Sequence, residues 1–296
     1  MIKELGPQPP KGELLTGIKE YKKQFTETLT PIYGADEAES IFNISLEEIT
    51  GLRRVDLIMN PDSVLTDVQK DRWESVLAQL QEQKPIQYIF GKAHFYGLEF
   101  KVTENTLIPR PETEQLVEWI IHENKNRQDI TILDIGTGSG CIAISLADNL
   151  KQAFVSALDV SAEALAVAEE NAMANNITVD FIQEDILTTA SLPQRYDIIV
   201  SNPPYVRNLE KHEIKPNVLD FEPHLALFVN DNDPLIFYHK IAQLAKVYLK
   251  KNGTLYFEIN QYLGSQTGQM LESEGFKNVI LRKDMYGNDR MISCSV

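Results

Sequence analysis

The sequence predicts an α/β protein whose mostly parallel sheet is covered on both faces, preceded by a small all-helical domain. Beyond Asp129, short β-prone apolar runs alternate with segments of helical period. Roughly the first 85 residues show only the helical period. Between the two, from Ile86 to Thr103, aromatic and β-branched residues gather around Gly91 and Gly97, the texture of a β-hairpin. The expected organisation is therefore a helical domain over 1–85, a hairpin linker over 86–108 and an α/β domain over 109–296.

In the first region Leu14, Ile18, Tyr21, Phe25 and Leu29 keep a helical spacing. Ala38, Ile41, Phe42, Ile44 and Leu46 mark a second helix, with Ile49 and Leu52 as its continuation. Val68, Trp73, Val76, Leu77 and Leu80 mark another, with Thr66 placed as its cap. Tyr88, Phe90, Phe95, Tyr96, Leu98, Phe100 and Val102 then read as strands. A helix follows through Leu116, Val117, Trp119, Ile120 and Ile121, and Pro111 suits its first turn. In the alternating region the expected strands are 130–135, 154–159, 179–183, 196–201, 254–259, 279–282 and 290–295. The expected helices are 141–150, 162–175, 235–249 and 263–274. Trp73 and Trp119 are expected in the core.

Composition narrows the classes of function. Hydrophobic residues form 43% of the 296, enough for a substantial core. The net charge of -15 gives a surface that repels phosphate backbones at long range. Two cysteines, Cys141 and Cys294, make no disulfide framework and fit a reducing cytosol. The five histidines are scattered and show no zinc-binding spacing. The polar start, 1–15, has no signal-peptide character, and no apolar run approaches a membrane span.

Three motifs carry chemistry. Asp134-Ile-Gly-Thr-Gly-Ser-Gly140 runs from a hydrophobic strand into alternate glycines and then a helix. Missing side chains let a ligand approach the backbone at Gly136, Thr137, Gly138, Ser139 and Gly140. The spacing departs from that of dinucleotide binders and suits a ligand without pyrophosphate, such as S-adenosylmethionine. Asp159 ends the next strand, where an acid takes ribose hydroxyls, and Asp185 ends the one after, within reach of an adenine amino group. The third motif is Ser201-Asn-Pro-Pro-Tyr205. Pro203 and Pro204 stiffen the loop and remove two donors, leaving carbonyls and the Asn202 oxygen as acceptors, with Tyr205 as a flat face. That set matches an NH2 group on a planar π-system, held in line for attack. No residue stands out as a general base.

These motifs resemble the class I, Rossmann-like methyltransferases that act on planar NH2 nitrogens. Four further segments choose within that class: Lys84-Pro-Ile-Gln-Tyr-Ile-Phe-Gly91, His94-Phe-Tyr-Gly97, Ile108-Pro-Arg-Pro-Glu-Thr-Glu114 and Phe221-Glu-Pro-His-Leu-Ala-Leu227. Together with Gly287-Asn-Asp-Arg290 they resemble the protein-(glutamine-N5) methyltransferases of peptide chain release factors. The resemblance implies S-adenosylmethionine at Gly136–Gly140, Asp159, Asp185 and Ile186, with Asn202 beside it. It implies the substrate glutamine, that of a release factor's Gly-Gly-Gln motif, at Asn202, Pro203, Pro204 and Tyr205, with Arg110 and Glu112 shaping the site. Many relatives carry an aromatic residue after the acid at 185; Ile186 stands here, so the expected adenine contact is aliphatic.

Some residues keep two readings. Glu112 and Glu114 also suit the positive end of a helix dipole, and Arg110 a structural ion pair. Cys141 sits where a thiol can be activated or simply packed. Glu222-Pro223-His224 orders the loop over the site or is ordinary turn structure. An adenine-N6 methyltransferase of DNA or RNA shares the Asn-Pro-Pro-Tyr loop, but should carry a basic recognition face. The expected partner is thus a protein, with no direct nucleic acid and no membrane, for a cytoplasmic monomer.

Overall fold

The computed structural model describes residues 17–296. Leu14 and the polar stretch 1–15, both used above, lie outside the described residues. The chain divides between Phe90 and Gly91 into two compact units.

The first unit contains α1 (Ile18–Tyr33), α2 (Ala35–Thr50), α3 (Arg54–Met59), α4 (Asp67–Gln81) and α5 (Ile86–Phe90). Thr66 caps α4: its hydroxyl accepts from the Gln69 N–H, and the Gln69 side chain accepts from the Thr66 N–H. Leu52 lies beyond the end of α2, which stops at Gly51 with φ of 74°. Ile44, one of the residues that mark that helix, is exposed on it. The core centres on Trp73, whose ring meets Tyr21, Phe25 and Phe42 at centroid distances of 6.1, 5.5 and 5.4 Å. The strand expected from Ile86 is a helix as far as Phe90. At helical spacing Ile86, Ile89 and Phe90 pack together against the core of this unit, so packing overrides propensity.

The second unit opens with the hairpin β1 (Lys92–Phe95) and β2 (Leu98–Lys101). Tyr96 and Gly97 make its turn with φ of 48° and 79°, and the Tyr96 N–H donates to Glu114 at 2.7 Å. There follow α6 (Pro111–Asn124), β3 (Thr131–Ile135), α7 (Cys141–Asn149), β4 (Phe154–Asp159), α8 (Ala162–Ala174), β5 (Asp180–Gln183) and β6 (Tyr196–Ser201). The segment 206–229, which has no clear period in the sequence, folds into short pieces: β7 (Val206–Arg207), a 3-10 turn, α9 (Pro216–Leu219), α10 (His224–Leu227) and β8 (Phe228–Val229). The chain continues with α11 (Ile236–Tyr248), β9 (Leu249–Glu258), α12 (Gly264–Ser273), β10 (Lys277–Lys283) and β11 (Asp289–Ser295). Three strands start earlier than expected. β9 begins at Leu249, which pairs with Tyr196 before a register shift that skips to Ile198 with Thr254; β10 begins at Lys277 and β11 at Asp289.

The main sheet has the order β10-β11-β9-β6-β3-β4-β5. Strands β9 to β5 are parallel, and β11 and β10 add antiparallel pairs at one edge. Side chains alternate across it. Leu133, Ile135, Ile199, Leu255 and Phe257 pack with Tyr238, Ile241 and Ala245 of α11 and Leu271 of α12. Ile132, Ile198, Val200 and Tyr256 face the other way, toward Leu116 and Ile120 of α6 and Ile144 of α7. Both faces are thus buried, as the apolar strand sequences require. The order reverses at β3, which lies between β4 and β6, so the loops after β3 and β6 flank a crevice at the sheet's carboxyl edge.

Candidate active site

Register brings the motifs together. Ile135 pairs with both Leu158 and Ser201, and Asp159 pairs with Gln183. The loops that begin at Gly136, Val160, Glu184 and Asn202 therefore leave the sheet along one edge. A cavity of about 340 Å³ opens there, within the range of small-molecule sites. Gly136, Gly138, Asp159, Asp185, Ile186, Asn202, Pro203 and Pro204 all line it.

The glycine loop is shaped mainly by its own backbone and its neighbour strand. The Gly136 and Thr137 N–H groups donate to the Leu158 carbonyl at 2.7 and 3.0 Å. Gly136 and Gly138 have φ of 74° and 55°, and a Cβ on either would point into open space. Gly140, φ 82°, serves another purpose: a Cβ there would lie 2.9 Å from Ile144 and 3.1 Å from Ala168, so it lets α7 and α8 pack. Thr137 and Ser139 are buried and lie outside the cavity lining. Thr137 donates at 2.6 Å to Asp134, whose carboxyl burial pushes up to about 7.

Asp159 accepts the Gly138 N–H at 2.8 Å and the Ser161 N–H at 3.0 Å, which fixes its carboxylate at the cavity wall. Burial raises its pKa, and these backbone donors oppose that shift. Asp185 accepts from the Leu187 N–H at 2.9 Å, and Ile186 is buried between the cavity and the core beneath α11. The lining contains Glu104, Asp159, Glu184 and Asp185 and neither Lys nor Arg. Such a wall favours a cationic or neutral ligand and disfavours a polyphosphate.

The Asn202–Tyr205 loop is held from a distance. Asn202 Nδ2 lies 3.4 Å from Thr113 Oγ1, which donates to Glu258 Oε2 at 2.6 Å. Tyr205 lies outside the cavity lining; its hydroxyl donates to the other oxygen, Glu258 Oε1, at 3.1 Å. Its carbonyl accepts from Asn260 Nδ2 at 2.9 Å. Glu258 is buried, which pushes its carboxyl up against the pull of Thr113, Arg290 and Tyr205. Burial likewise raises the Tyr205 phenol. Arg290, from the Gly-Asn-Asp-Arg segment, is held by Asp284 at 3.1 Å. Ser201 Oγ donates to the Ile135 carbonyl at 2.6 Å, tying this loop's root to the glycine loop's root.

Arg110 and Glu112 also lie outside the cavity lining. Arg110 pairs with Glu222, whose second oxygen accepts the Ile108 N–H at 3.2 Å. The Ile108–Glu114 and Phe221–Leu227 segments are thus one structure, with Pro223, Leu225 and Ala226 on the cavity wall. Glu112 adds negative charge near Glu258, and Glu114 braces the hairpin turn. The Cys141 thiol is pushed up to about 12 by burial, the packed rather than the activated reading.

Sequence reasoning missed Thr113, Glu258 and Asn260, and from the lining Asn105, Leu107 and Phe237. Glu258 carried the same signal as Asp159, an acid ending an apolar strand. Phe237 carried none, and Thr113 sits in the Ile108–Glu114 segment without any sign of its role, because both depend on contacts distant in sequence.

Comparisons with known proteins agree with this architecture. Residues 113–220 match the model of the methyltransferase small domain, and residues 20–91 that of the PrmC N-terminal domain. The release factor glutamine methyltransferase of Flavobacterium psychrophilum is 60% identical over 278 residues, 93% of this chain and 98% of that one. The release factor glutamine methyltransferase of Bacteroides thetaiotaomicron is 43% identical, over 91% of this chain and 96% of that one. Among solved structures, the hMettl16 catalytic domain in complex with an RNA hairpin superposes with a TM-score of 0.54 at 17% identity, over 79% of this chain and 84% of that one. That likeness is one of fold alone.

Proposed function

This chain belongs to the release factor glutamine methyltransferase family, and from that premise we propose that it methylates the side-chain amide nitrogen of the glutamine in the Gly-Gly-Gln motif of class 1 peptide chain release factors. The observation that carries the reading is the acceptor-rich Asn202-Pro203-Pro204 wall beside a cavity bounded by glycines and acids. The donor set suits S-adenosylmethionine: Gly136 and Gly138 leave room at the backbone, Asp159 accepts from ribose hydroxyls, and Asp185 and Ile186 flank the adenine. When bound, that cofactor supplies an activated methyl group.

The chain's own work is orientation and electrostatics. Asn202 Oδ1 and the Pro203 carbonyl accept the two N–H bonds of the substrate amide, fixing the nitrogen's direction. They also favour the positive charge that develops on it. Tyr205, braced through Glu258 and Asn260, keeps the loop's far end in place. The proton leaves to water. Selection of the protein partner is assigned to the helical region, 1–85, and to 86–108. No helix among the described residues is long and apolar enough to cross a membrane.

The test is transfer of labelled methyl groups from S-adenosylmethionine to purified release factor, with a Gln→Ala variant of its Gly-Gly-Gln motif and a nucleic acid as controls. Label on the wild-type factor alone is expected. Label on nucleic acid alone would move the chain to the adenine-methylating reading.

A further inference from the structure

Asn202 lines the cavity, and its carboxamide has two ends of opposite character. Its oxygen accepts and its nitrogen donates, so a substrate NH2 group is held only if the oxygen faces it. The two orientations nearly match in shape, and packing alone selects weakly between them. The choice is made by hydrogen-bond polarity behind the loop.

We infer that Thr113 and Glu258 form a polarity relay that turns the Asn202 carboxamide oxygen toward the substrate nitrogen. Burial opposes the charged form of Glu258, but a hydroxyl is directed at each of its oxygens and Arg290 favours ionisation, and as a carboxylate it only accepts. Its Oε2 takes the single proton of the Thr113 hydroxyl at 2.6 Å, and its Oε1 takes that of the Tyr205 hydroxyl at 3.1 Å. Thr113 Oγ1 then has lone pairs but no proton left for Asn202. It can only accept, and the group it meets at 3.4 Å is Asn202 Nδ2. Among the described residues no donor meets the Asn202 oxygen, which leaves it free to accept from a ligand in the cavity that Asn202 lines. The positive charge of Arg290 favours the charged form of Glu258. Thr113 and Glu258 are positioning residues, for they act through Asn202. The same carboxylate anchors both ends of the Asn-Pro-Pro-Tyr loop.

The inference rests on the proposed reaction, and its test separates the two. Thr113→Val keeps the shape and removes the acceptor, while Thr113→Ser keeps the acceptor. Glu258→Gln introduces a donor, which lets the Thr113 proton turn toward Asn202 and reverses the amide. The valine and glutamine variants should lose roughly 10- to 100-fold in kcat. Their affinity for S-adenosylmethionine should stay within about twofold, and serine should restore most of the rate. A second readout does not need turnover. The side-chain NH2 resonances of Asn202 should shift in Thr113→Val and hold in Thr113→Ser. Wild-type rates and unmoved resonances in Thr113→Val, or serine as damaging as valine, would overturn the relay. Should Thr113→Val fold poorly, a Glu258→Gln variant with wild-type kcat and unmoved resonances overturns it. A wild-type chain that leaves release factor unmethylated counts against the reaction instead, and the resonances still decide the relay.

Discussion

The glycine loop and the Asn-Pro-Pro-Tyr loop leave neighbouring strands side by side, and they are held by different means. Residues 136–140 are fixed within their own surroundings, by positive φ angles, by N–H bonds to Leu158 and by Asp159 just across the strand pair. Residues 202–205 are fixed by side chains from the start of α6 and the end of β9, Thr113, Glu258 and Asn260. The first arrangement makes a shape, and its chemistry is mostly the absence of side chains. The second makes a direction, and direction in a polar group requires partners whose protons are accounted for.

The contrast can be broken at either loop. The largest effect is expected at Asn202, where Ala removes an acceptor used on the reacting nitrogen. Turnover of Asn202→Ala should fall roughly 10²- to 10³-fold in a methyl-transfer assay. Cofactor affinity, set by the glycine loop, should hold; a matching loss of affinity would show that the two loops are not separable.

Next comes Asp134, beneath the glycine loop. Its folded pKa of about 7 exceeds its ordinary value of 3.8, so its protonated form is the one the fold favours. The contribution is complete below pH 3.8 and is lost as pH rises to about 7. Across that window wild type should lose up to about 4 kcal/mol relative to Asp134→Asn, read by urea unfolding at a series of pH values. A constant difference between the two proteins would refute the burial account.

Gly140→Ala should cost about 2 kcal/mol, combining a left-handed backbone with a clash against Ile144 and Ala168. Its measure is the denaturation midpoint, and an unchanged midpoint would mean that α7 and α8 separate freely. The smallest effect is expected at Cys141. Its thiol, pushed up to about 12, should react with alkylating reagents in the folded protein far more slowly than in the unfolded one.

The two loops also differ in how far the sequence discloses them. Alternate glycines after an apolar strand are a local signal, and so is an acid at a strand end, so Gly136, Gly138, Asp159 and Asp185 are legible in the sequence alone. Asn202, Pro203 and Pro204 were equally legible. Their support was not: Thr113 lies 89 positions from Asn202, and Glu258 lies 145 from Thr113. The same limit applied to Arg110, whose partner Glu222 is 112 positions away, although both segments had been singled out. Gly140 was legible as a glycine but not in its role, since packing against Ala168 requires α8 to be in place. The helix at Ile86–Phe90 departs from the expected strand for a related reason: its aromatic residues favour a strand locally, and the core of the helical unit decides otherwise.

The central claim is that this site acts on a carboxamide nitrogen. The most direct measurement is tandem mass spectrometry of release factor after reaction, reading which atom group carries the methyl. A single methyl on the glutamine side chain of the Gly-Gly-Gln motif is the predicted result. A methyl on a lysine, a carboxylate or the main chain, with that glutamine unmodified, would contradict it.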